Sequence, residues 1–205
     1  MPAWDIELLR LINQTWSADW LDHAMPAVSA IEAWMPPLVV IAFLLVLRGG
    51  RKARVMFLSV ALAVGIGDAF VSNTLKKLVG RVRPRDAVEG VIVRDLGIAS
   101  PPTMRLFVPP VKSASQPNGA TNGKSFPSSH TVNMFAVATV VACFYRGAGI
   151  AIYGLAALVA WSRVYCGAHW PSDIPPSIAL GVLTGLGVVW GLRRLAGPRV
   201  IVGQA

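Results

Sequence analysis

Charged residues are scarce in this sequence: they make up 14% of its 205 residues, whereas 54% are hydrophobic. The apolar residues fall into long blocks without the alternation that is typical of half-buried strands. A soluble bundle of buried helices is the alternative, but uncharged runs such as residues 151–161 would then need a core larger than this chain can enclose. Length and composition therefore predict one all-α domain, residues 1–205, that lies in a membrane.

Cysteine is nearly absent, and no internal repeat or low-complexity segment is apparent. Cys143 lies about 20 Å along its predicted helix from His130, whereas Cys166 lies near the other side of the membrane, so a disulfide is not expected. Two cysteines also give no framework for a metal site. The N-terminal segment has no basic residue before its apolar ones, which does not fit a secretory signal.

Five apolar blocks predict a helical bundle of five transmembrane helices. The N-terminal segment predicts an amphipathic helix, with Trp4 and Leu8 on one face and Asp5 and Asn13 elsewhere. Such a helix fits the membrane interface and the flank of the bundle equally well, and residues 1–32 are expected to form interfacial helices. The apolar blocks are 33–47, 55–75, 131–146, 148–166 and 174–192.

The net charge of +9 is distributed unevenly, which argues against a nucleic-acid partner. Eight Lys and Arg residues, and no acidic residue, lie in the connection 48–54, at Arg146 and after residue 192. With five spans these stretches share one side of the membrane, which the positive-inside rule assigns to the cytoplasm. The loop 84–127 then faces the periplasm of a bacterial inner membrane.

Three clusters of ionisable residues fall on connections that alternating spans bring to the same outer face. Charged side chains at the depth of a bundle are costly, so such clusters are candidate functional sites. Lys76, Arg83 and Arg163 provide three cations, and arginine forks match phosphate oxygens, which predicts an oxyanion site. The clusters are residues 76–84, 126–130 and 162–173. Anchoring to lipid headgroups would explain a separate set of cations: Lys77, Arg81 and Arg85.

Two of the three histidines fall within these clusters. His169 precedes Asp173 by four residues, a spacing that lets the carboxylate accept the Nδ1 proton and leaves Nε2 free as a nucleophile. His130 lies in the first turn of a predicted helix, where it could protonate a departing oxygen. Ser128 and Ser129 begin that helix, so that their N–H groups could bind phosphate, or a serine could simply cap the helix.

These residues resemble the three-part signature of the type 2 phosphatidic acid phosphatases. The first part, a Lys followed after six residues by Arg-Pro, is matched by Lys76 and Arg83-Pro84. The second part, Pro-Ser-Gly-His, is matched by residues 127–130, with Ser129 in the glycine position. The third part is matched by Ser162-Arg163, His169 and Asp173. All three parts occur in order and with the correct internal spacing.

The resemblance implies a role for each matching residue. His169 would attack phosphorus and form a phosphohistidine, Asp173 would orient it, and His130 would protonate the leaving group. Electrostatic preorganisation would be the main catalytic contribution. The phosphoryl oxygens would be held, without a metal or another cofactor, by Lys76, Arg83, Ser128, Ser129 and Arg163, with Ser162 as an additional candidate.

The sequence thus predicts a membrane-embedded phosphatase that cleaves a lipid phosphate or diphosphate monoester. Undecaprenyl diphosphate, phosphatidylglycerophosphate, phosphatidic acid and lipid A phosphates all fit this description. A lipid phosphotransferase and a non-catalytic anion-binding or transport protein stay open as alternatives. The same residues look like the vanadate site of haloperoxidases, but those are large soluble proteins, which this hydropathy excludes. The oligomeric state does not follow from the sequence.

Two regions are expected to support the site. The loop 84–127 would cap it and read the headgroup with four cations: Arg94, Arg105, Lys112 and Lys124. Asp68, about 12 Å along the helix from Lys76, would line the base of the pocket or, as the preferred interpretation, act as a structural strut. Its partner as a strut would be Thr139, Asn133 or the Trp161 indole.

Overall fold

The structure is a computed structural model, and it describes residues 2–196. Helices dominate this range, and two short strands form a small sheet. Arg199, part of the predicted basic tail, lies outside the described residues. The helices and strands are α1 (Ala3–Arg10), α2 (Asp19–Ser29), α3 (Ile31–Arg48), α4 (Arg51–Ile66), α5 (Asn73–Val79), α6 (Pro84–Ala87), β1 (Ile92–Asp95), β2 (Val111–Ala114), α7 (Ser129–Phe144), α8 (Arg146–Tyr165) and α9 (Ile174–Ala196).

Helix α7 is the central helix of the bundle and packs against α4, α8 and α9. Ser128 caps it, because the Ser128 hydroxyl accepts a hydrogen bond from the Thr131 N–H group. Glycines on α9 allow the two backbones to approach each other closely. A Cβ atom at Gly181 would lie 2.4 Å from the Val132 carbonyl oxygen, and one at Gly185 would lie 2.8 Å from the Thr139 Cβ. Small residues therefore set the distance between α7 and α9.

Two short connections lie at the same end of the bundle. Gly49 and Gly50 join α3 to α4, and Tyr145 joins α7 to α8. The Lys52 ammonium lies 4.7 Å from the centroid of the Tyr145 ring, a cation–π contact that links the two connections. Leu192 near the end of α9 packs in the same apolar cluster as Met56 and Phe144. We call this the basic end; its charged residues are Arg48, Arg51, Lys52, Arg54, Arg146, Arg193 and Arg194.

Within the described residues, four helical segments are long and apolar enough to cross a bilayer. They are Ile31–Arg48, Arg51–Ala87, Arg146–Tyr165 and Pro171–Leu195. They correspond to four of the five predicted blocks, and the second includes a π-helical stretch, Gly67–Ser72. The remaining block corresponds to α7, whose 16 residues are apolar but extend only about 24 Å. The protein is thus a helical membrane protein, and the count of five spans stays a prediction.

The loop 84–127 has structure of its own. Strands β1 and β2 pair antiparallel, with Arg94 opposite Lys112. The Asn13 side chain holds this sheet against the bundle: its amide donates to the Ile92 and Tyr165 carbonyls at 2.8 and 2.7 Å, and its oxygen accepts from the Ile92 N–H at 2.8 Å. Four-residue strands without clear alternation give little sequence signal, so this sheet could not be predicted.

Helix α1 and the π-helical stretch that follows it, Leu11–Thr15, bury polar residues against the bundle. Asp5 and Asn13 are completely buried, whereas Trp4 and Leu8 are 54% and 37% exposed. Leu9 is its buried apolar residue and packs in a cluster with residues of the loop and of α8. Of the two predicted locations, the flank of the bundle is thus the one observed. Because the apolar side faces outward, an interfacial position stays a prediction.

Candidate active site

The three predicted clusters meet at the end of the bundle away from the basic end. The Lys76 ammonium donates to the Ser129 hydroxyl, which joins the first cluster to the second. The Ser125 N–H group donates to the Arg81 carbonyl at 2.8 Å, so the chain just before α7 runs beside the end of α5. The Ser125 carbonyl in turn contacts His169 of the third cluster. We call this the site end, defined by Lys76, Ser129 and His169.

His169 lies in the turn between α8 and α9, with 3% of its surface exposed. Its Nδ1 lies 2.6 Å from the Ser125 carbonyl oxygen. Because a carbonyl only accepts, Nδ1 carries the proton and the Nε2 lone pair is free. Burial lowers the pKa of His169 to about 4, although Asp173 acts in the opposite direction. The imidazole is therefore neutral and oriented as a nucleophile at neutral pH.

Asp173 does not take the hydrogen bond that the sequence spacing predicts. Its Oδ2 lies 3.7 Å from the His169 Nδ1 and instead accepts from the Ser125 hydroxyl at 2.5 Å and the Trp170 N–H at 3.0 Å. The short 3₁₀ turn Pro171–Asp173 directs the carboxylate back onto its own loop. Asp173 therefore acts on the imidazole through its charge and through Ser125, a residue that the sequence analysis did not identify.

Arg81 lies inside the site, and its assignment as a lipid-headgroup anchor is wrong. Its Nη1 donates to Asp173 at 2.5 Å and its Nη2 donates to Asp5 of α1 at 2.7 Å. Gly80, with φ of 58°, ends α5 in the left-handed conformation and turns the chain at this point. Asp5 and Arg81 are separated by 76 positions. A contact between residues this far apart in the chain leaves no local pattern in the sequence. Only the burial of Asp5 on an amphipathic helix could have suggested it.

Arg83 and Arg163 present nitrogen atoms without partners. Their Nε atoms are two of the four buried side-chain polar atoms in residues 2–196 that lack a hydrogen-bond partner. His130 is within electrostatic range of both guanidinium groups, of His169 and of Lys76. An unsatisfied buried N–H group is costly, and the oxygen of an anion would satisfy it. The predicted cations therefore converge into a cradle that suits an oxyanion.

The three predicted serines differ in what their groups contact. Ser128 is fully buried, and its N–H donates to the Ser177 hydroxyl at 3.0 Å, so this N–H is not available for phosphate. Capping is therefore the role that the structure gives Ser128. The Ser129 hydroxyl contacts Lys76 in the cradle. Ser162 is also buried, and its hydroxyl donates to a carbonyl of its own helix at 2.7 Å.

A cavity of about 360 Å³ opens beside His130 and Arg163. Residues 26–33, where α2 passes into α3, form one wall, and Asp95 and Arg105 of the loop contribute to another. Because His130 and Arg163 line this cavity, it adjoins the cradle, and its outer part, near Asp95 and Arg105, is where the rest of a substrate headgroup would be placed.

Three of the four loop cations are paired within the protein, which corrects the expectation that they read the headgroup. Arg94 and Lys112 both contact the Asp22 carboxylate, and Arg105 donates to Glu32 at 3.2 Å. Burial raises the pKa of Asp22, but the hydrogen bonds from Lys112 and Tyr165 and the charge of Arg94 outweigh it, so the pKa lies below its usual value.

The fourth loop cation differs from the other three. Lys124 is exposed and lies within electrostatic range of Lys76. It makes no ion pair within the described range. Of the four loop cations, Lys124 is therefore the one for which contact with an anionic headgroup stays a prediction.

Asp68 does not act as the predicted strut. It is exposed on the π-helical stretch Gly67–Ser72, within electrostatic range of Lys76. Thr139, one of its expected partners, instead lies 2.6 Å from the Tyr153 hydroxyl. The Asn133 side-chain oxygen, another expected partner, is buried without a hydrogen bond.

The cysteines take no part in the site. Cys143 and Cys166 are both free, in agreement with the prediction that they do not form a disulfide. Burial raises the pKa of the Cys166 thiol to about 12, so it stays protonated and is not a nucleophile at neutral pH.

Known proteins resemble this chain in sequence. The model of the PAP2 superfamily matches residues 52–196. A lipid A 4′-phosphatase of Bacteroides thetaiotaomicron is 26% identical over 189 residues, which covers 88% of this chain and 73% of the relative. The putative undecaprenyl-diphosphatase YbjG of Escherichia coli is 30% identical over 190 residues, which covers 91% of this chain and 82% of the relative.

Solved structures share the fold. The crystal structure of Aquifex aeolicus LpxE superposes with a TM-score of 0.67 at 22% identity, and the match covers 92% of this chain and 96% of that one. A transmembrane PAP2 type phosphatidylglycerolphosphate phosphatase from Bacillus subtilis gives a TM-score of 0.58 at 21% identity, with 94% and 86% covered. At these identities the likeness concerns the fold alone.

Proposed function

Because the chain belongs to the PAP2 superfamily and is a phosphoric ester hydrolase, we propose that it hydrolyses a membrane lipid phosphate through a phosphohistidine on His169. The observation that carries this proposal is the pair of unpartnered Nε atoms of Arg83 and Arg163, next to a buried and neutral histidine. The names of the relatives, lipid A 4′-phosphatase and undecaprenyl-diphosphatase, support a lipid phosphate as the substrate.

In the first step the His169 Nε2 attacks phosphorus. A P–N bond forms, the ester P–O bond breaks, and the departing lipid oxygen takes a proton from the His130 imidazolium, the form that the bound phosphate anion favours. The cations of the cradle hold the non-bridging oxygens and offset the charge that develops on them. Asp173, 3.7 Å from Nδ1, stabilises the positive charge that the imidazole acquires. The Ser125 carbonyl keeps the Nδ1 proton in place throughout.

In the second step a water molecule attacks the phosphohistidine. The P–N bond breaks, inorganic phosphate leaves, and His130 accepts the proton of the water, which restores both histidines. The same residue thus serves as acid and then as base.

The charge of the outer cavity favours a monophosphate. Arg105 is neutralised by Glu32, and Asp95, which is within electrostatic range of Arg163, forms no ion pair in the part of the chain described. A second phosphate beside Asp95 would meet like charge, whereas hydroxyl groups could donate to this carboxylate. We therefore expect a phosphomonoester on a hydroxyl-bearing headgroup, such as a lipid A phosphate, to be preferred over a diphosphate.

The site end is proposed to face the periplasm of a bacterial inner membrane, with five spans including α7. The basic end then faces the cytoplasm, as the positive-inside rule requires. Exposed tryptophans in the N-terminal segment, Trp4, Trp16 and Trp20, support an interfacial position beside the site end. Reporter fusions after residue 50 and within residues 112–122 should report opposite sides of the membrane, and the same side for both would contradict this topology.

The test of the mechanism is release of inorganic phosphate in detergent, with a chelator present, from lipid A, phosphatidic acid, phosphatidylglycerophosphate and undecaprenyl diphosphate. Wild type should release phosphate, and His169→Gln should be inactive at an unchanged melting temperature. Arg54→Gln, at the basic end, is the matched control and should retain wild-type activity. Full activity of His169→Gln would overturn the mechanism, and a diphosphate as best substrate would overturn the headgroup assignment.

Labelling tests the intermediate directly. An aryl phosphate has a leaving group that needs no proton, so His130→Ala should still be phosphorylated but should hydrolyse the intermediate slowly. Label from such a substrate should remain on the protein in alkali and be lost in acid, as expected for a P–N bond. Transfer of the label from the protein to an added acceptor lipid, without release of inorganic phosphate, would instead identify a phosphotransferase. Binding of phosphate without either reaction would identify an anion-binding protein.

A further inference from the structure

Asp5 of α1 is completely buried, and both of its carboxylate oxygens are engaged. Oδ1 accepts from the Ser172 N–H at 3.0 Å, and Oδ2 accepts from the Ser172 hydroxyl at 2.6 Å and from Arg81 at 2.7 Å. Ser172 is the residue directly before Asp173. A buried carboxylate with this many charged and polar partners is costly to remove from water, so its place at the edge of the site calls for an explanation.

Arg81 connects this carboxylate to the loop that carries the nucleophile. It donates to Asp173 and, at 2.8 Å, to the Ser172 hydroxyl. Its guanidinium lies 5.5 Å from the centroid of the Trp170 ring, and the Trp170 indole donates to the Val82 carbonyl at 2.7 Å. Arg81 is therefore held on several sides and lies between two carboxylates.

From this network we infer that Asp5 and Arg81 are a positioning pair for His169, so that α1 contributes to the catalytic apparatus. This inference rests on the proposed function. When His169 bonds to phosphorus, its ring becomes positive, and Asp173 is the carboxylate that faces it. Arg81 on its own would draw the negative charge of Asp173 away from the ring. Asp5 neutralises Arg81, and Asp173 keeps its full charge for the phosphohistidine.

This reasoning predicts a change in kcat rather than in KM. The Asp5→Asn variant keeps a side chain of the same shape but removes the charge, so Asp5 would no longer offset the positive charge of Arg81 beside Asp173. We expect kcat to fall about tenfold or more, with KM within twofold of wild type, because substrate contacts lie in the cradle. Asp5→Glu, which restores the charge, should recover part of kcat. Glu7→Gln, an exposed residue on the same helix, is the matched control.

A double-mutant cycle separates this role from a merely structural one. In an Arg81→Gln background no cation competes for Asp173, so Asp5→Asn should change kcat by less than about threefold. Equal effects of Asp5→Asn in both backgrounds would overturn the inference, as would a lower melting temperature with an unchanged kcat for the folded protein. Loss of substrate affinity alone would also overturn it.

A second measurement does not depend on turnover. In protein labelled with ¹⁵N-histidine, the His169 ring resonances should report a proton on Nδ1. Asp5→Asn should shift these resonances, whereas Glu7→Gln should leave them as in wild type, and unshifted resonances in Asp5→Asn would contradict the pair. A wild-type protein that releases no phosphate would count against the proposed function, while this spectroscopic comparison would still decide on the positioning pair.

Discussion

The site end and the basic end of the bundle carry charge in opposite ways. At the site end, Arg81 is paired with two carboxylates inside the protein, those of Asp5 and Asp173. At the basic end, the described residues include seven Lys and Arg side chains and no acidic one. There the recorded contacts are weaker, such as Lys52 over Tyr145 and Arg194 over Trp190. At the site end, these charged groups are held in defined hydrogen-bonding geometries. At the basic end, only the sign of the charge matters.

This difference between the two ends follows from the solvation of their charged groups. A buried charge needs a partner in good geometry, whereas an exposed lysine or arginine is satisfied by water and by lipid phosphates. The exceptions at the site end are the Nε atoms of Arg83 and Arg163, which have no partner. These two N–H groups are where the proposed phosphate ligand would bind.

The largest contrast is expected from arginine-to-lysine exchanges. Arg163→Lys and Arg83→Lys keep the charge but lose the planar fork, so kcat/KM should fall by about 100-fold or more. Arg51→Lys at the basic end should stay within twofold, because only the sign of its charge counts. Steady-state phosphate release on the best lipid substrate measures this. Equal losses of kcat/KM at both ends would show that the cradle needs only positive charge and not the planar geometry of arginine.

A second contrast concerns stability. Asp22 is 4% exposed and pairs with Arg94 and Lys112. Asp22→Asn leaves a buried arginine without its counter-charge, which should cost about 3 kcal/mol of unfolding free energy. Asp19→Asn, a fully exposed position on the same helix, is the control and should cost less than about 0.5 kcal/mol. Denaturant titration in detergent gives both values, and a similar loss for the two variants would contradict this account.

Acidification should reduce the stability of the folded protein through protonation of His169 at the site end. The pKa of this histidine is about 4 in the folded protein and about 6.5 when unfolded, so between these values the unfolded state binds the extra proton. Stability is therefore complete above about pH 6.5 and decreases as the pH falls towards 4. From pH 7 to pH 5 the contribution of His169 should fall by about 2 kcal/mol.

Comparison with His169→Gln tests this pH dependence. The variant has no imidazole at this position, so wild type should lose more stability on acidification than His169→Gln does. Melting curves at pH 7 and pH 5 provide the measurement. Parallel losses in the two proteins would show that His169 is not the group responsible.

The smallest effect is expected at the basic end. Lys52→Met removes the cation–π contact with Tyr145, which should cost about 0.5–1 kcal/mol because the site is accessible to water. Phosphate release should be unchanged. A loss comparable to that of Asp22→Asn would mean that the basic end, too, depends on fixed charge geometry.

The sequence predicted what depends on local pattern. Hydropathy located the helices, and motif spacing identified Lys76, Arg83, His130, Arg163 and His169, which the structure brings together at one end. Pro175 and Pro176 lack amide donors, which is harmless only in a first helical turn, and they lie in the first turn of α9. In each case the residues on which the prediction rests lie close together in the chain.

Contacts between segments that are far apart in the sequence could not be predicted from local patterns. Ser125 orients His169 through a backbone carbonyl, which no residue type reveals. Arg81 looked like a surface anchor because its partners, Asp5 and Asp173, lie 76 and 92 positions away. The loop cations Arg94 and Lys112 were misassigned for the same reason, since their shared counter-charge, Asp22, is on α2.

The hydrogen bond between His169 and the Ser125 carbonyl also bears on how the protein tolerates mutation. The acceptor belongs to the main chain, so no codon change at position 125 deletes it, whereas replacing the serine removes only the hydroxyl bond to Asp173. The acceptor that orients His169 is thereby protected from point mutation at this position. Substitutions at residue 125 would therefore change the surroundings of Asp173 while the imidazole of His169 keeps its main-chain acceptor.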